Sequence, residues 1–199
     1  MQYREGRTLE LIVITCPDFI DNEAWKINAL FDAGLEILHL RKPKASKEEY
    51  IALLDNIHFG YHCRIKIHEY FELANDYNLL GVHLNARNPE YHEKKQINIS
   101  KSCHSLEELS NIEQYDYVFL SPVFDSISKK GYASNFSDEI LKSASKQGII
   151  NKKVIALGGI DKTTLSLIKN YAFGGVAVLG SIWKSEDVVE NFTMINLIK

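Results

Sequence analysis

The amino-acid sequence predicts an α/β fold, a single (β/α)8 barrel of minimal size. Eight short apolar runs suited to β-strands recur along the chain, and segments with apolar residues at helical spacing separate them. The length of 199 residues agrees with this fold, because barrels with short loops begin near ~200 residues. We therefore expect one barrel domain over residues 1–199.

The predicted strands are runs of apolar and β-branched residues bounded by turn residues. They span Leu9–Thr15, Glu36–Arg41, Arg64–His68, Gly81–Leu84, Gln96–Ser102, Tyr117–Ser121, Lys153–Leu157 and Gly175–Leu179. Ser46 with Glu49 predicts a capping box at the start of a helix, and Asp161 predicts a second N-cap. An open doubly wound sheet also alternates strands and helices, but no G-x-G-x-x-G motif follows the first strand here.

Composition limits the classes of partner. The net charge is −3, so no excess of positive charge indicates binding to nucleic acid or to an anionic membrane. No apolar run is long enough to span a bilayer, and the first residues lack the apolar core of a signal peptide. The three cysteines have no metal-like spacing, which favours reduced thiols and a cytoplasmic location. We expect small phosphorylated molecules as partners, and the sequence leaves a homo-oligomer open.

Two neighbouring strands end in glycine where the chain must leave the sheet. The runs are Val154–Ile160 and Gly174–Ile182. In a (β/α)8 barrel the loops after strands 7 and 8 frequently bind phosphate, because bare backbone N–H groups there can approach an anion. The sequence therefore predicts an anion site at this position.

Polar residues follow strands 2 to 4, at the edge where barrels of this kind carry their chemistry. Alternation along strand 2 places His39 and Arg41 on one face, and an inward arginine there either meets an anionic ligand or pairs with a carboxylate. Glu69 after strand 3 is a metal ligand, an acid or base, or a helix cap. His83 lies between apolar residues, which favours a core histidine over a catalyst.

Hydroxyl and amino groups follow strands 5 and 6. Ser105 with Glu108 predicts a capping box, which leaves Ser102 as the candidate for the pocket. After strand 6 the chain carries hydroxyls and lysines that suit an anion, although a solvated surface loop has a similar composition; they are Ser126, Ser128, Lys129 and Lys130. Convergence of Arg41, Lys129 and the glycine turns favours a substrate with more than one phosphate group.

In order and spacing, these residues resemble the motifs of the thiamine phosphate synthase/TenI superfamily. The matching segments are Gly34–Arg41, Gly81–Leu84, Ser102–Glu108, Ser121–Phe124, Lys129–Gly131 and the closing glycine turns. The resemblance covers nearly the whole chain and implies a TIM barrel that binds a thiazole phosphate at the loops of strands 7 and 8. In the synthase a pyrimidine diphosphate with Mg²⁺ lies beside it. The reaction joins the pyrimidine methylene carbon to the thiazole nitrogen and releases pyrophosphate.

The resemblance also implies roles for single residues. Arg41 matches an arginine that contacts the diphosphate, and His39 stands where the synthase has a glutamine that contacts the pyrimidine. The implied catalytic residues are Arg41, Lys129 and Ser102; the implied substrate-binding residues are His39, His68, Ser126, Ser128, Gly158, Gly159, Leu179 and Gly180; the implied Mg²⁺ ligands are Glu69 and Asn88.

The sequence departs from the synthase motifs at several positions. His68-Glu69-Tyr70 stands in place of N-D-D, Asn88 in place of a second magnesium aspartate, and Pro43 in place of a lysine. An amide is a weaker ligand than a carboxylate for a hard cation. The thiazole tautomerase branch also has histidine at position 39, but Pro122, where that branch has its catalytic histidine, is synthase-like.

From this resemblance we expect a transferase of thiamine biosynthesis that couples hydroxymethylpyrimidine diphosphate to thiazole phosphate. Dissociative substitution of this kind needs stabilisation of the leaving pyrophosphate and close positioning, and no strong base. The alternative is a TenI-like protein that binds thiazole phosphate without transferase activity, or a thiazole tautomerase acting through His39, His68 or His104.

Overall fold

The computed structural model describes residues 9–92, 96–124 and 136–199. Its strands form one closed parallel barrel in sequence order, in which the last strand pairs with the first. The strands are β1 Glu10–Ile14, β2 Ile37–Leu40, β3 Ile65–Ile67, β4 Gly81–Leu84, β5 Asn98–Cys103, β6 Tyr117–Leu120, β7 Val154–Leu157 and β8 Gly175–Val178. The predicted (β/α)8 fold is confirmed, and of the predicted strands only β5 extends beyond its expected range, by one residue.

Helices lie between the strands on the outside of the barrel. They are α1 Glu23–Asp32, α2 Lys47–Asp55, α3 Leu73–Asp76, α4 Asp138–Lys146, α5 Leu165–Ile168, α6 Gly180–Trp183 and α7 Val188–Ile198, with 3₁₀ helices at Phe59–Arg64 and Glu107–Asn111. The predicted capping box opens α2, where Ser46 and Glu49 each accept a backbone hydrogen bond from the other. In the described part of the chain, no helix is long and apolar enough to cross a membrane.

Alternation along the strands separates two packing layers. In β3 the side chains of Ile65 and Ile67 face the surrounding helices, and Lys66 between them faces the barrel interior. The interior has an apolar half, formed by Ile12, Ile14, Phe119, Ile155 and Ala177. The other half is polar and fully or nearly fully buried, and it contains His39, Lys66, His68, His83, Ser100 and Tyr117. A polar barrel core is costly unless its groups bond to one another.

Glycine allows the barrel to close. A Cβ placed on Gly175 at the start of β8 would lie 2.4 Å from the carbonyl oxygen of Glu10 on β1. A Cβ on Gly81 at the start of β4 would lie 1.9 Å from the carbonyl oxygen of Asn98 on β5. Neighbouring backbone therefore occupies the space of a side chain at both positions.

We predict that Gly175→Ala lowers the free energy of unfolding by at least about 1–3 kcal/mol, the range typical of overpacking. The added methyl group would push β8 away from β1, and urea denaturation measures the change. Gly180→Ala is the matched control, because the nearest neighbouring atom to a Cβ at Gly180, on the Lys184 side chain, would be 3.8 Å away. Equal stability of the two variants would contradict this account of barrel closure.

Candidate active site

Arg41 follows β2 at the mouth of the barrel. Its backbone is fixed by Thr15 at the end of β1, which accepts a hydrogen bond from the Arg41 N–H at 2.9 Å and donates its hydroxyl to the Arg41 carbonyl at 3.2 Å. The guanidinium group is half-buried, and no described residue forms a hydrogen bond or ion pair with it. Burial, together with nearby Arg87, lowers the pKa of Arg41. A half-buried cation without a described partner suits an anionic ligand.

Lys42 is held in the wall of the barrel. Its buried ammonium donates to both carboxylate oxygens of Glu23, at 2.6 and 2.7 Å, and to the carbonyls of Cys16 and Asp18. These bonds tie the loop after β1 to the end of β2 and use the whole donor capacity of the ammonium. Lys42 is therefore a structural cation, unavailable to a ligand.

Glu69 follows β3 and is almost buried. One carboxylate oxygen accepts a hydrogen bond from the Arg87 guanidinium at 3.1 Å, and the other accepts from the backbone N–H of Lys42, also at 3.1 Å. The Arg87 side chain is 48% exposed, so its guanidinium group stays accessible to a ligand while Glu69 anchors it. Arg87 is close enough to disfavour charge on Arg41, and Glu69 partly offsets this effect.

Asn88 lies in a tight turn after β4. Its side-chain amide donates to the carbonyl of His68 at 2.8 Å, and the Asn85 amide donates to the same oxygen at 3.2 Å. The Asn85 side-chain oxygen in turn accepts from the backbone N–H groups of Arg87 and Asn88, at 3.0 and 3.3 Å. This turn fixes the end of β3 and presents Arg87 to the mouth.

A buried hydrogen-bonded chain crosses the polar half of the barrel. His68 at the end of β3 bonds to His39 at 2.9 Å, and His39 bonds through its other nitrogen to the Tyr117 hydroxyl at 2.6 Å. Both nitrogens of the fully buried His39 are therefore engaged inside the protein.

A second hydrogen-bonded group leads back toward the mouth through His83. One of its nitrogens bonds to Ser100 at 2.9 Å, and the other bonds to Ser102 at 2.8 Å. A neutral histidine donates through one nitrogen and accepts through the other, and each hydroxyl donates one proton. The tautomer of His83 therefore decides which of the two serines donates to its ring and which accepts from it.

The three histidines are neutral. Burial, with the neighbouring His83 and His68, lowers the pKa of His39 well below its usual range. Burial likewise lowers the pKa values of His68 and His83. Ligand atoms of the three rings lie within 4.8 Å of one another. Hydrogen bonds already occupy both nitrogens of His39 and of His83, so the geometry is that of a hydrogen-bonded network and not of a metal centre.

Lys66 lies below the histidines in the barrel interior. Its ammonium has no hydrogen-bond partner among the described residues, and it lies 4.2 Å from the centre of the Tyr117 ring. Burial lowers the pKa of Lys66 to about 7, with Asp116 and Glu10 acting in the opposite sense. Any charge it retains disfavours protonation of His39, His68 and His83.

The turn after β7 has free donors. Gly158 and Gly159 have φ values of 99° and 64°, in the left-handed region that favours glycine. A Cβ on Gly158 would lie 2.8 Å from Pro122 in the neighbouring loop. The N–H groups of both glycines have no acceptor within the described chain. They can therefore donate to a bound anion.

Hydrogen bonds fix the position of this turn. Thr164 donates its hydroxyl to the Gly159 carbonyl at 2.8 Å, and the Asp161 carboxylate accepts from the backbone of Thr163 and Thr164 at 2.8 and 3.0 Å. Asp161 was predicted as an N-cap, and it stabilises the turn that precedes α5. Burial alone would raise the pKa of Asp161, but these hydrogen bonds outweigh it and lower that pKa.

After β8 the chain enters α6. Leu179 precedes this helix, and the N–H groups of Gly180 and Ser181 in its first turn have no acceptor among the described residues. The Ser181 hydroxyl is buried, also without a described partner. Parallel strands β7 and β8 are adjacent, so the two turns present their free N–H groups at the same edge of the barrel.

Most of the predicted site residues that the structure describes lie at one edge of the barrel. Arg41, His68, Ser102, Glu69, Asn88 and the two glycine turns all follow or end their strands at the same edge of the barrel. Ser126, Ser128 and Lys129 lie outside the described residues. Four residues that contribute to the site were not predicted from the sequence: Arg87, Ser100, Tyr117 and Lys66. Alternation on β3 and β6 could have placed Lys66 and Tyr117 in the interior, whereas no sequence signal indicated the Arg87–Glu69 pair.

The fold and the site together define a (β/α)8 barrel that has guanidinium groups and backbone N–H groups suited to an anion at its mouth. The family described as thiamine monophosphate synthase matches residues 11–182. A thiamine-phosphate synthase of Lysinibacillus sphaericus is 29% identical over 182 residues, which cover 84% of this chain and 85% of that protein. A match to the thiamine-phosphate synthase of Listeria welshimeri, 27% identical, covers 54% of this chain and 55% of that protein.

Solved structures agree with this assignment. The crystal structure of a thiamine phosphate pyrophosphorylase from Bacteroides thetaiotaomicron has a TM-score of 0.87 and 42% identity, and the match covers 96% of this chain and 97% of the other. The chain belongs to the thiamine monophosphate synthase family. The predicted resemblance is confirmed. The comparisons support a transferase of thiamine biosynthesis and do not favour the TenI-like alternative.

The resemblance implied Mg²⁺ held by Glu69 and Asn88, and the donor set does not fit that ion. Mg²⁺ prefers octahedral oxygen ligands with one or two carboxylates. Both oxygens of Glu69 already accept hydrogen bonds, one of them from a guanidinium group. The Asn88 amide nitrogen is directed to a carbonyl. Among the described residues, no group of three or more His, Cys, Asp or Glu ligands contains a carboxylate.

We predict that Lys66→Met raises the free energy of unfolding, most strongly at and below neutral pH. The folded-state pKa of about 7 lies below the ordinary 10.5, so between these values the unfolded chain binds one more proton. The stability of the wild type should therefore rise with pH in this window, by up to about 1.4 kcal/mol per pH unit.

Urea denaturation across this pH range tests the prediction. Lys66→Met should lack the slope that Lys66 causes in the wild type, whereas the exposed Lys152→Met should keep it. A pH dependence shared by the wild type and Lys66→Met would show that Lys66 is not a buried, titrating amine.

Proposed function

We propose that the protein couples hydroxymethylpyrimidine diphosphate to thiazole phosphate, giving thiamine phosphate and pyrophosphate. The observation that carries this proposal is the presence of two separate anion-binding elements at one barrel mouth. Unpaired backbone N–H groups follow β7 and β8, and the guanidinium groups of Arg41 and Arg87 follow β2 and β4. A reaction between a monophosphate and a diphosphate requires two such elements.

The thiazole phosphate would bind at the glycine turns. Gly158, Gly159, Gly180 and Ser181 offer backbone N–H groups without acceptors in the described chain. Donors of this kind bind phosphate through short, charge-assisted hydrogen bonds and do not depend on a side chain. Leu179 would contact the same phosphate from the loop that joins β8 to α6.

The diphosphate would bind on the opposite wall. Arg41 presents a guanidinium group without a described partner, and Arg87 presents a second one held by Glu69. A planar guanidinium group can donate two parallel hydrogen bonds to phosphate oxygens. By resemblance, Lys129 with Ser126 and Ser128 would cover the leaving pyrophosphate from the loop after β6.

Positioning and charge stabilisation are sufficient for the reaction. The bond between the pyrimidine methylene carbon and the diphosphate oxygen breaks, and the electron pair leaves with pyrophosphate. The thiazole nitrogen then donates its lone pair to the methylene carbon, which forms the thiazolium ring of the product. Cationic groups around the diphosphate lower the barrier because negative charge develops on the leaving oxygen. The thiazole nitrogen carries no proton, so no general base is needed at that atom.

The neutral histidine chain would form the wall beside the pyrimidine. His68 and Ser102 lie at the mouth end of the two hydrogen-bonded groups, and an imidazole nitrogen and a hydroxyl can each act as donor or acceptor to the ring. A pyrimidine with an exocyclic amino group carries both kinds of partner. His39 is fully buried with both nitrogens bonded, so it would position His68 and not contact the ring itself. Because all three histidines are neutral, they would not repel a developing methylene cation.

The predicted small-molecule partners agree with this proposal, and the cytoplasmic location stays a prediction. A tautomerase acting through His39, His68 or His104 has less support. Both ring nitrogens of the buried His39 are hydrogen-bonded within the protein. His104 is exposed and bonds to the Ser121 carbonyl at 3.0 Å. Proton transfer by either residue would require these bonds to break.

We predict formation of thiamine phosphate from the two purified substrates, and loss of most of this activity in Arg41→Ala. Removal of one charge-assisted contact to the diphosphate should lower kcat/KM by about ten- to a hundredfold. Product chromatography measures the rate. Lys152→Ala, an exposed lysine before β7, is the control and should keep full activity.

The phosphate site has its own test, which requires no variant. Thiazole phosphate should bind at least about tenfold more tightly than the corresponding thiazole alcohol in calorimetry, since the free N–H groups recognise the phosphate. No product from the two substrates, with equal binding of phosphate and alcohol, would contradict the proposed function.

A further inference from the structure

We propose that Arg87 takes the place of a divalent cation in this site, so that the diphosphate binds without Mg²⁺. This inference rests on the proposed function, because it concerns the same diphosphate. It arises from the disagreement between the Mg²⁺ implied by the family resemblance and the residues present at the mouth. The positive charge beside Glu69 is supplied by a guanidinium group.

The Arg87 guanidinium group occupies the place beside Glu69 that a metal ion would take. A Mg²⁺ ion on Glu69 would need a carboxylate oxygen that has a free lone pair directed at the mouth. One oxygen accepts from Arg87 at 3.1 Å, and the other accepts from the Lys42 backbone at 3.1 Å. An ion on Glu69 would therefore compete with the guanidinium group and bring a charge of +2 close to Arg41.

Asn88, the second residue expected to bind Mg²⁺, instead holds the turn after β4 against the end of β3. Asn88 donates its amide to the His68 carbonyl at 2.8 Å, beside the parallel bond from Asn85. An aspartate at this position would face the carbonyl oxygen with a negative charge, which is favourable only if a cation lies between them. The asparagine removes the need for that cation and keeps the turn closed.

The charges that remain suit a diphosphate. Arg41 and Arg87 carry two positive charges and Glu69 carries one negative charge, which leaves a net charge of about +1 at this wall, while the Lys42 charge is matched by Glu23. Half-buried guanidinium groups repel each other, and an anion between them relieves this repulsion. Glu69 keeps Arg87 in place before the ligand arrives, which reduces the entropy cost of binding.

Calorimetric titration of the full chain with pyrophosphate tests this inference. We expect similar affinities in excess EDTA and in millimolar MgCl₂. Arg87→Ala should weaken binding in EDTA by at least about tenfold, and Arg87→Lys, which keeps the charge and loses the planar fork, should weaken it less. Lys152→Ala on the opposite edge of the barrel should bind as the wild type does. Thermal melting with and without thiazole phosphate checks that each variant is folded.

A second variant tests whether Mg²⁺ can take the place of the Arg87 guanidinium group. Arg87→Ala combined with Asn88→Asp frees Glu69 and restores a second carboxylate, so its affinity for pyrophosphate should rise at least about tenfold when Mg²⁺ replaces EDTA. Wild-type binding that requires Mg²⁺, or an unchanged affinity of Arg87→Ala in EDTA, would overturn the inference and leave the proposed function standing. Absence of pyrophosphate binding in both conditions, together with absence of product, would refute both.

Discussion

Closure of the sheet between β1 and β8 is the contact on which the rest of the structure depends. Gly175 permits it, because neighbouring backbone fills the space that a side chain would need. In a closed parallel barrel all strands end at the same edge, so groups distant in sequence surround one mouth. Arg41 after β2, Arg87 after β4 and the glycine turns after β7 and β8 become parts of one site by this constraint.

The polar half of the barrel interior gives the mouth its chemical character. The buried chain of histidines, serines and tyrosine is held by mutual hydrogen bonds, and its burial keeps the histidines neutral. Burial of the Lys66 ammonium beneath these residues lowers the stability of the folded state, and the surrounding bonds must offset this effect. Neutral donors and acceptors on one wall, with guanidinium groups and backbone amides around them, suit the proposed reaction, in which two anions are positioned and no proton is withdrawn from them.

The fold and the glycine turns after β7 and β8 could be predicted from the sequence because they depend on local sequence patterns. Apolar runs suited to strands alternate with segments whose apolar residues have helical spacing. Glycine lies at turns where the backbone N–H groups must be accessible, as at Gly158 and Gly180. The opposite wall could not be predicted in this way, since its function depends on which groups meet across strands. Arg87 reads as an ordinary surface cation until the structure brings it to Glu69. His39 has the position of a ligand-contacting residue in the motif, yet the bond to Tyr117, 78 positions along the chain, seals it inside the barrel.

The central claim is that two anions bind at one mouth and that arginine, not a metal ion, holds the diphosphate. A crystal structure with thiazole phosphate, pyrophosphate and Mn²⁺ tests it most directly, because Mn²⁺ scatters anomalously. We predict thiazole phosphate on the glycine turns, pyrophosphate between Arg41 and Arg87, and no anomalous peak beside Glu69. A manganese ion coordinated by Glu69 and Asn88, with Arg87 displaced toward solvent, would contradict the account.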